Sequence, residues 1–241
     1  NDGAGNPPNP DGIMTDYLWK EILTKNKLSR IIENYAQVVV EEDPDTKKKT
    51  VKQIFPRYHQ LDVVEKLLAD VKENGIGKRY LIQHSAGSGK SNSISWLAHQ
   101  LIELEQDGHP ILDSVLVVTD RRILDKQIRD NIKQFMQVAN TVAWAEHSGD
   151  LRDAIKDGKR IIITTIEKFP YVVPDIGAKH KNNKFAVIID EAHSGQSGRN
   201  SAQMNLALSG LASDDEMDNE DKINAMMEGR KLLTNASYFA F

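Results

Sequence analysis

Residues 81–95 read LIQHSAGSGKSNSIS: an apolar segment, a turn rich in glycine and serine, and a segment of helical character. The turn fits the pattern G-x-x-x-x-G-K-[ST] except at its first position, where His84 replaces glycine. Gly87 and Gly89 allow the backbone to curl so that successive N–H groups point inward, and the start of a helix adds positive potential there. A strand, a glycine-rich turn and a helix in this order are typical of a phosphate-binding loop. The alternative is a helix-capping loop with a solvated lysine.

The lysine and serine that follow the second glycine supply the chemistry of such a loop. Lys90 is expected to reach the β and γ phosphates of ATP as a point charge, and the Ser91 hydroxyl to occupy one position on Mg²⁺. His84 weakens the match without breaking it, because the first glycine of the pattern lies at the end of the preceding strand, where a bulkier residue fits if the turn opens differently. The predicted nucleotide-binding residues here are Gly87, Ser88, Gly89, Lys90 and Ser91.

A second segment, FAVIIDEAHSGQSG at 185–198, supplies the acidic partner that a phosphate-binding loop needs. Its apolar strand ends in Asp190 and Glu191, which places both carboxylates at the carboxyl end of a parallel sheet, where open α/β folds bind their ligands. Asp190 is expected to hold Mg²⁺ through its water shell, and Glu191 to orient and deprotonate the attacking water. His193 is close enough in sequence to sense the γ phosphate. An Asp-Glu pair after a strand can also cap a helix, but two features about 100 residues apart imply the same ligand.

From Arg57 onward, helical segments alternate with short apolar strands. Strands separated by helix-length segments predict right-handed crossovers and a parallel sheet covered on both faces. The runs VLVVT, IIITT and FAVIID are almost continuously apolar, as strands buried on both sides are. The pattern predicts an α/β fold, a RecA-like (P-loop NTPase) doubly wound parallel sheet. The predicted helices are 57–74, 90–106, 121–134 and 149–156, and the predicted strands are 79–83, 115–118, 141–144, 160–164 and 185–189.

The N-terminal part has a different composition. Residues 1–12 are mostly Asn, Gly, Pro and Asp, as in a linker. Helix periodicity in TDYLWKEILTK and KLSRIIENYAQ predicts two short helices, the second with Leu28, Ile31, Ile32 and Tyr35 on one face. The stretch AQVVVEEDPDTKKKTVKQIF predicts a β-hairpin around a polar turn. We expect an N-terminal extension of linker, helices and hairpin, followed by an ATPase domain. Their ranges are 1–54 and 55–241.

Composition excludes several classes of protein. The chain has 241 residues, 39% of them apolar, which is enough for one large α/β domain or two small ones. A net charge of -4 gives no bulk attraction to a polyanion, so a nucleic-acid surface would have to be a local patch. The absence of cysteine removes disulfides, thiolate nucleophiles and cysteine zinc sites. No apolar run approaches the roughly 20 residues of a membrane span, so a cytoplasmic protein is expected.

The order of GSGKS and IIDEAH resembles the order of motifs in superfamily two helicases and translocases, and other segments fit the same family. FPRYHQ resembles the adenine-reading segment, which implies that Gln60 contacts the adenine edge, with the ring of Tyr58 or Phe55 nearby. The alternative is that Gln60 is simply a polar residue in the first turn of a helix. VVTDRR and IITTIEKF resemble two segments that meet the backbone of one DNA strand, although a polar residue after a buried strand is also ordinary. The DNA-binding residues that the resemblance implies are Thr119, Arg121, Thr164 and Thr165.

Six segments narrow the resemblance to the motor region of the restriction subunit of type I restriction-modification enzymes. They are GNPPN, TDYLWKEILTK, FPRYHQ, HSAGSGKS, VVTDRRILDKQ and DEAHSGQSG, and the resemblance covers essentially the whole chain. In this family a histidine at the position of His84 is common. The resemblance implies an ATP-dependent type I site-specific deoxyribonuclease subunit, which translocates duplex DNA, cleaves it, and works with methylation and specificity subunits.

The resemblance also implies that other parts of such an enzyme lie outside this sequence. A second RecA-like domain with its arginine finger, and a nuclease domain, are not among these residues, and the final SYFAF resembles the strand before the next helicase segment. Residues 1–241 are therefore expected to be a fragment that binds ATP-Mg²⁺ weakly and hydrolyses ATP slowly. An arginine finger contributes about 10³- to 10⁵-fold in rate.

Two other functions stay open. Another superfamily two motor, such as a type III restriction subunit or a repair helicase, has the same ATP site but lacks the GNPPN and LWKEILTK segments. A nucleotide-dependent DNA-binding module has no turnover of its own. Hydrolysis that is lost in both Lys90→Ala and Glu191→Gln would indicate a motor.

Overall fold

A computed structural model of the chain contains two compact units, residues 1–67 and 68–241. The predicted boundary between residues 54 and 55 stays a prediction. All of the predicted helix 121–134 except Ile132 lies outside the described residues. The described residues are 9, 11–42, 46–85, 87–119, 132, 142–145, 147–165, 180–190 and 235–241.

The unit at residues 1–67 contains the short helices and the hairpin that the sequence predicts. A π-helical turn, Leu18–Ile22, precedes helix α1, Lys25–Asn34. Strands β1, Gln37–Glu42, and β2, Lys49–Ile54, pair in the antiparallel sense. The predicted hairpin is therefore confirmed.

In α1, Ile32 does not lie on the side of the helix that the sequence pattern predicts. Ile31 and Tyr35 are four residues apart and almost completely buried. Ile32, in contrast, is 58% exposed. Successive residues of an α-helix are rotated by about 100°, so Ile32 turns away from the side that Ile31 occupies. The prediction that Ile32 shares a face with Ile31 and Tyr35 is wrong.

Among the described residues of the unit at 68–241, six strands form one sheet in which all neighbouring strands are parallel. Its strands are β3 (Arg79–Leu81), β6 (Ser114–Thr119), β7 (Val142–Trp144), β8 (Ile161–Thr165), β9 (Phe185–Ile189) and β10 (Ala236–Ala240). The order across the sheet is β3-β10-β9-β6-β8-β7. Strands that follow each other in the chain are often not neighbours, as crossover connections require. The predicted α/β, RecA-like doubly wound fold is confirmed.

The four inner strands, β10, β9, β6 and β8, are buried along their whole length, which explains their apolar sequences. Ile189 of β9 pairs with Ala240 of β10 and with Val118 of β6. Val118 in turn pairs with Thr164 of β8. Because the four strands end at nearly the same level, the residues that follow them lie along one carboxyl edge of the sheet.

Three further helices belong to the described residues. They are α2 (Tyr58–Asn74), α3 (Lys90–Ile102) and α4 (Ser148–Lys156). Their positions agree with the predicted helices 57–74, 90–106 and 149–156, although α3 is shorter. Within the part of the chain that the structure describes, no helix combines the length and the apolar character needed to cross a membrane.

A small hairpin follows α3, and the prediction of a helix up to residue 106 is wrong. Strands β4, Glu105–Gln106, and β5, His109–Pro110, pair in the antiparallel sense. The turn residues Asp107 and Gly108 have φ values of 53° and 76°, as in a type I′ turn. An Asp-Gly pair is among the strongest hairpin signals in a sequence. That signal outweighs the helical propensity of the residues before it.

Contacts of Asp70 and Tyr80 fix β3, the short edge strand that precedes the predicted phosphate-binding loop. The Asp70 carboxylate accepts hydrogen bonds from the Tyr80 hydroxyl at 2.7 Å and from the Lys78 ammonium at 3.0 Å. The bond from Tyr80, followed by that from Lys78, holds the pKa of Asp70 below its ordinary value. The Tyr80 ring stacks on Phe239 of β10, with ring centroids 4.7 Å apart. β3 is therefore anchored both to the end of α2 and to β10.

Truncation of a side chain at the centre of the sheet tests this architecture. Ile188 is fully buried on β9 and pairs with residues of both β10 and β6. We expect Ile188→Ala to lower the free energy of unfolding by about 2 to 5 kcal/mol, measured by urea denaturation. Leu81 is the matched control, because it lies on β3 and is 83% exposed. Leu81→Ala should change the free energy of unfolding by no more than about 0.5 kcal/mol. Equal effects of the two changes would contradict a central β9.

Candidate nucleotide-binding site

The predicted phosphate-binding loop, called the phosphate loop below, connects β3 to α3, and its described residues are 82–85 and 87–89. Gly87 and Gly89 have φ values of 72° and 83°, in the left-handed region that residues with a β-carbon rarely adopt. Between them, Ser88 donates its backbone N–H to the Ser85 carbonyl oxygen at 3.1 Å. The chain then turns directly into α3, whose first residue is Lys90. The backbone geometry thus explains why glycine occupies both positions.

Helical hydrogen bonding begins immediately after the phosphate loop. The Gly89 carbonyl oxygen accepts the N–H groups of Asn92 and Ser93, at 3.1 and 3.3 Å. The Ser95 hydroxyl donates to the Ser91 carbonyl oxygen at 2.8 Å and so stabilises the first turns of α3 from the side. The N-terminal end of a helix carries partial positive charge and favours a bound anion. The 13-residue α3 directs this end toward the loop.

Lys90 and Asp190, about 100 residues apart in the sequence, are brought together at the carboxyl edge of the sheet. The Lys90 ammonium lies 3.1 Å from an Asp190 carboxylate oxygen, and the two side chains are 17% and 1% exposed. Asp190 follows β9 directly, and its backbone N–H donates to the Val118 carbonyl oxygen of β6 at 2.9 Å. A cation and a carboxylate therefore meet beside the phosphate loop, out of bulk water. In P-loop NTPases a lysine and an aspartate of this kind hold the phosphates and the metal ion.

The side chains at this edge fit Mg²⁺. Ser91, half-buried in the first turn of α3, and Asp190 supply hydroxyl and carboxylate oxygens, the hard donors that Mg²⁺ prefers. Among the described residues there is no cluster of three or more His, Cys, Asp or Glu that could hold a metal ion. A Mg²⁺ ion here would therefore take its other ligands from phosphate oxygens and water, as is usual for this ion.

His84, which belongs to the phosphate loop, contacts both Ser88 and Phe241. His84 Nδ1 lies 2.8 Å from the Ser88 hydroxyl oxygen, within hydrogen-bond distance. The imidazole and the Phe241 ring have centroids 5.7 Å apart. The sequence assigns no task to His84 and does not identify Phe241 as part of the site. An aromatic residue after a buried strand carries no signal of which neighbour it contacts.

The three threonines that the resemblance assigns to DNA lie together at the same edge. Thr119 ends β6 and Thr165 ends β8, and the two residues are paired. The Thr119 hydroxyl donates to the Thr164 carbonyl oxygen at 3.4 Å. None of the three residues is more than 2% exposed, so their hydroxyls form no open surface in this structure. Their role in DNA binding stays a prediction.

Gln60 belongs to the unit at residues 1–67. It is 3% exposed, and its side-chain oxygen accepts the backbone N–H of Arg57 at 2.8 Å, which caps the first turn of α2. Of the two aromatic residues near it in sequence, Phe55 is 53% exposed, whereas Tyr58 makes an edge-to-face contact with Tyr17. The contact with adenine stays a prediction. Three other predicted site residues, Arg121, Glu191 and His193, lie outside the described residues.

A parallel sheet with a glycine-lysine loop after one strand and an aspartate after another defines a RecA-like nucleotide-binding domain. Residues 59–241 match the family model of the SWI2/SNF2 ATPase, and this match covers more than half of the chain. The chain therefore belongs to the SWI2/SNF2 ATPase family, and it is an ATPase motor domain of the SNF2-like kind.

The chain is similar in structure to the UvsW helicase from Bacteriophage T4, with 14% sequence identity and a TM-score of 0.48. This similarity covers 91% of the chain described here and 61% of the UvsW chain. No curated protein matches the sequence significantly.

Proposed function

We propose that this chain is the ATP-binding motor domain of the restriction subunit of a type I restriction-modification enzyme. In the full-length enzyme, ATP hydrolysis drives translocation on duplex DNA and is coupled to DNA cleavage. The observation that carries the nucleotide part of this proposal is the 3.1 Å contact between Lys90 and Asp190 beside the phosphate loop. The six sequence segments described above, from GNPPN to DEAHSGQSG, support the assignment to a type I enzyme.

ATP binds with its phosphates in the phosphate loop at the N-terminal end of α3. The left-handed Gly87 and Gly89 bring the backbone close to the phosphates, because neither residue has a β-carbon in the way. Lys90 exchanges its contact with the Asp190 carboxylate for one with the β and γ phosphates. Lys90 is already largely shielded from bulk water, so its side chain does not have to leave a fully hydrated position to contact the substrate.

Ser91 of α3 and the residues that follow β9 carry out the hydrolysis step. Ser91, through its hydroxyl, and Asp190, through its carboxylate, would hold Mg²⁺. When bound, Mg²⁺ neutralises the negative charge that develops on the phosphate oxygens. Glu191 orients the attacking water and accepts its proton, and His193 responds to the presence of the γ phosphate.

Gln60 contacts the adenine edge and so favours ATP over other nucleotides.

DNA binding uses the same edge of the sheet. Thr119, Arg121, Thr164 and Thr165 contact the backbone of one strand after a rearrangement that uncovers the threonines. Contacts with phosphate groups carry little sequence information. The specificity subunit therefore selects the target, the methylation subunits mark it, and the motor pulls the duplex past the assembly.

Measurement of ATP turnover by the full-length protein tests this proposal against its alternatives. For a type I enzyme we expect turnover to rise steeply with unmethylated target duplex only when the methylation and specificity subunits are present. Turnover with any duplex in their absence would indicate another superfamily two motor. ATP binding without turnover on any DNA would indicate a binding module.

The DNA-binding residues can be tested by the salt dependence of DNA binding. Because contacts with the DNA backbone release counterions, DNA affinity should fall as salt concentration rises. An affinity that does not depend on salt would argue against the assigned threonines and Arg121.

A further inference from the structure

His84 occupies the position in the phosphate loop at which the usual pattern has glycine. It follows β3 and is half-buried. Its Nδ1 atom lies 2.8 Å from the hydroxyl oxygen of Ser88, four residues further on. Ser88 is 8% exposed, and its backbone N–H is also engaged, with the Ser85 carbonyl oxygen at 3.1 Å. Two bonds made by Ser88 therefore tie the end of the loop back to its beginning.

The imidazole of His84 is supported from the neighbouring strand. The Phe241 ring lies against it, with centroids 5.7 Å apart and ring planes inclined at 32°. Phe241 is 3% exposed, and its backbone N–H donates to the Ile189 carbonyl oxygen at 2.9 Å. Ile189 immediately precedes Asp190. The contacts thus connect the end of β9, through Phe241 and His84, to the phosphate loop.

We propose that His84 is a positioning residue that holds the phosphate loop in its nucleotide-binding conformation through Ser88. The bond between the two side chains spans the turn that contains Gly87, and so it limits the number of conformations open to a loop of small residues. A loop that is ordered before ATP arrives loses less conformational freedom when ATP binds. Glycine at position 84 has no side chain with which to make this bond. The proposal rests on the ATP site described above.

The positioning role has a consequence for Ser88. The Ser88 hydroxyl is directed to His84, so it contributes to ATP affinity through loop geometry rather than through its own contact with a phosphate. Loss of the bond should therefore weaken ATP binding, whereas the chemical step, which depends on other residues, should change little. A single neutral hydrogen bond corresponds to an effect of about three- to tenfold in affinity.

Three variants of the full-length protein separate the parts of this arrangement. His84→Leu keeps apolar contact with Phe241 but removes the hydrogen bond, and Ser88→Ala removes the same bond from its other end. His84→Asn places a polar atom near the position of Nδ1. The affinity for a fluorescent ATP analogue and the steady-state kcat and KM are measured for each variant, together with the melting temperature without nucleotide.

We expect His84→Leu and Ser88→Ala each to raise the Kd and the KM for ATP by about three- to tenfold, with kcat within about twofold of the wild-type value. The double variant should bind ATP no more weakly than the single variant with the lower affinity, because both changes remove the same hydrogen bond. His84→Asn should restore affinity to within about twofold of the wild type. The control is His99→Leu, which removes another half-buried histidine, on α3. It should leave the Kd unchanged.

Several results would overturn the proposal. An unchanged Kd in Ser88→Ala would do so even if His84→Leu failed to fold. Effects that multiply in the double variant would mean that the two side chains act separately. A lower melting temperature with an unchanged Kd in His84→Leu would indicate a purely structural role. If the wild-type protein itself bound no ATP, the nucleotide site would fail, and this proposal would fail with it.

Discussion

Lys90→Ala should lower the rate of ATP hydrolysis by the full-length protein by about 10²- to 10³-fold, the usual effect of removing one hydrogen-bond donor that stabilises a transition state. Lys90 begins α3 and lies 3.1 Å from the Asp190 carboxylate, so its ammonium is positioned where the β and γ phosphates are expected. Alanine leaves the loop backbone unchanged but removes this charge. The rate is measured as phosphate release at saturating DNA.

Lys72→Ala is the matched control for this prediction. Lys72 is an exposed lysine of α2, in the same unit as Lys90, and the change removes the same charge from the protein. It should leave turnover within about twofold of the wild-type rate, as expected for a surface change away from the site. Equal rates in the two variants would contradict the assignment of Lys90 to the phosphates.

Asp190→Asn should reduce ATP hydrolysis by a similar factor, about 10²- to 10³-fold, but for a different reason. The amide has nearly the same shape as the carboxylate, so the edge of the sheet keeps its packing. Without the negative charge, the site should lose its preference for Mg²⁺. We therefore expect the variant to bind ATP with nearly the same affinity with and without Mg²⁺, whereas the wild-type protein should bind more tightly with Mg²⁺.

Asp113→Asn is the corresponding control. Asp113 precedes β6, at the opposite end of the strand from the site, and its exposed carboxylate accepts the Lys184 backbone N–H at 2.7 Å. This change should leave the Mg²⁺ dependence of ATP binding intact. A wild-type Mg²⁺ dependence in Asp190→Asn would remove Asp190 from the proposed metal site.

The sheet could be predicted from the sequence because its inner strands are buried on both faces. The prediction of strand 185–189 is correct at both ends, since an apolar run there is followed immediately by Asp190. The end of α3 was harder to predict, because Glu105 and Gln106 are good helix formers. The Asp-Gly turn after them, whose residues adopt positive φ, decided the local structure.

The site was only partly predictable for a reason of topology. The two glycines and the lysine belong to one short local pattern, so the sequence alone reveals them. The contact of His84 with Phe241 depends instead on the order of strands, because β10, the last described strand in the chain, lies between β3 and β9. Hydrophobic patterns identify strands but do not give their order in a sheet. The exposed Ile32 shows the same limit on a smaller scale. When two adjacent residues are both apolar, as Ile31 and Ile32 are, the sequence does not show which of them is buried.

The central claim is that Lys90 and Asp190 belong to one ATP-Mg²⁺ site. The most direct test is calorimetric titration of the full-length protein with ATP in the presence of Mg²⁺. We predict that each wild-type chain binds one ATP and that Lys90→Ala weakens this binding by about 10- to 100-fold, as expected for loss of a charge-assisted contact. Unchanged affinity in Lys90→Ala, or no ATP binding by the wild-type protein, would contradict the claim.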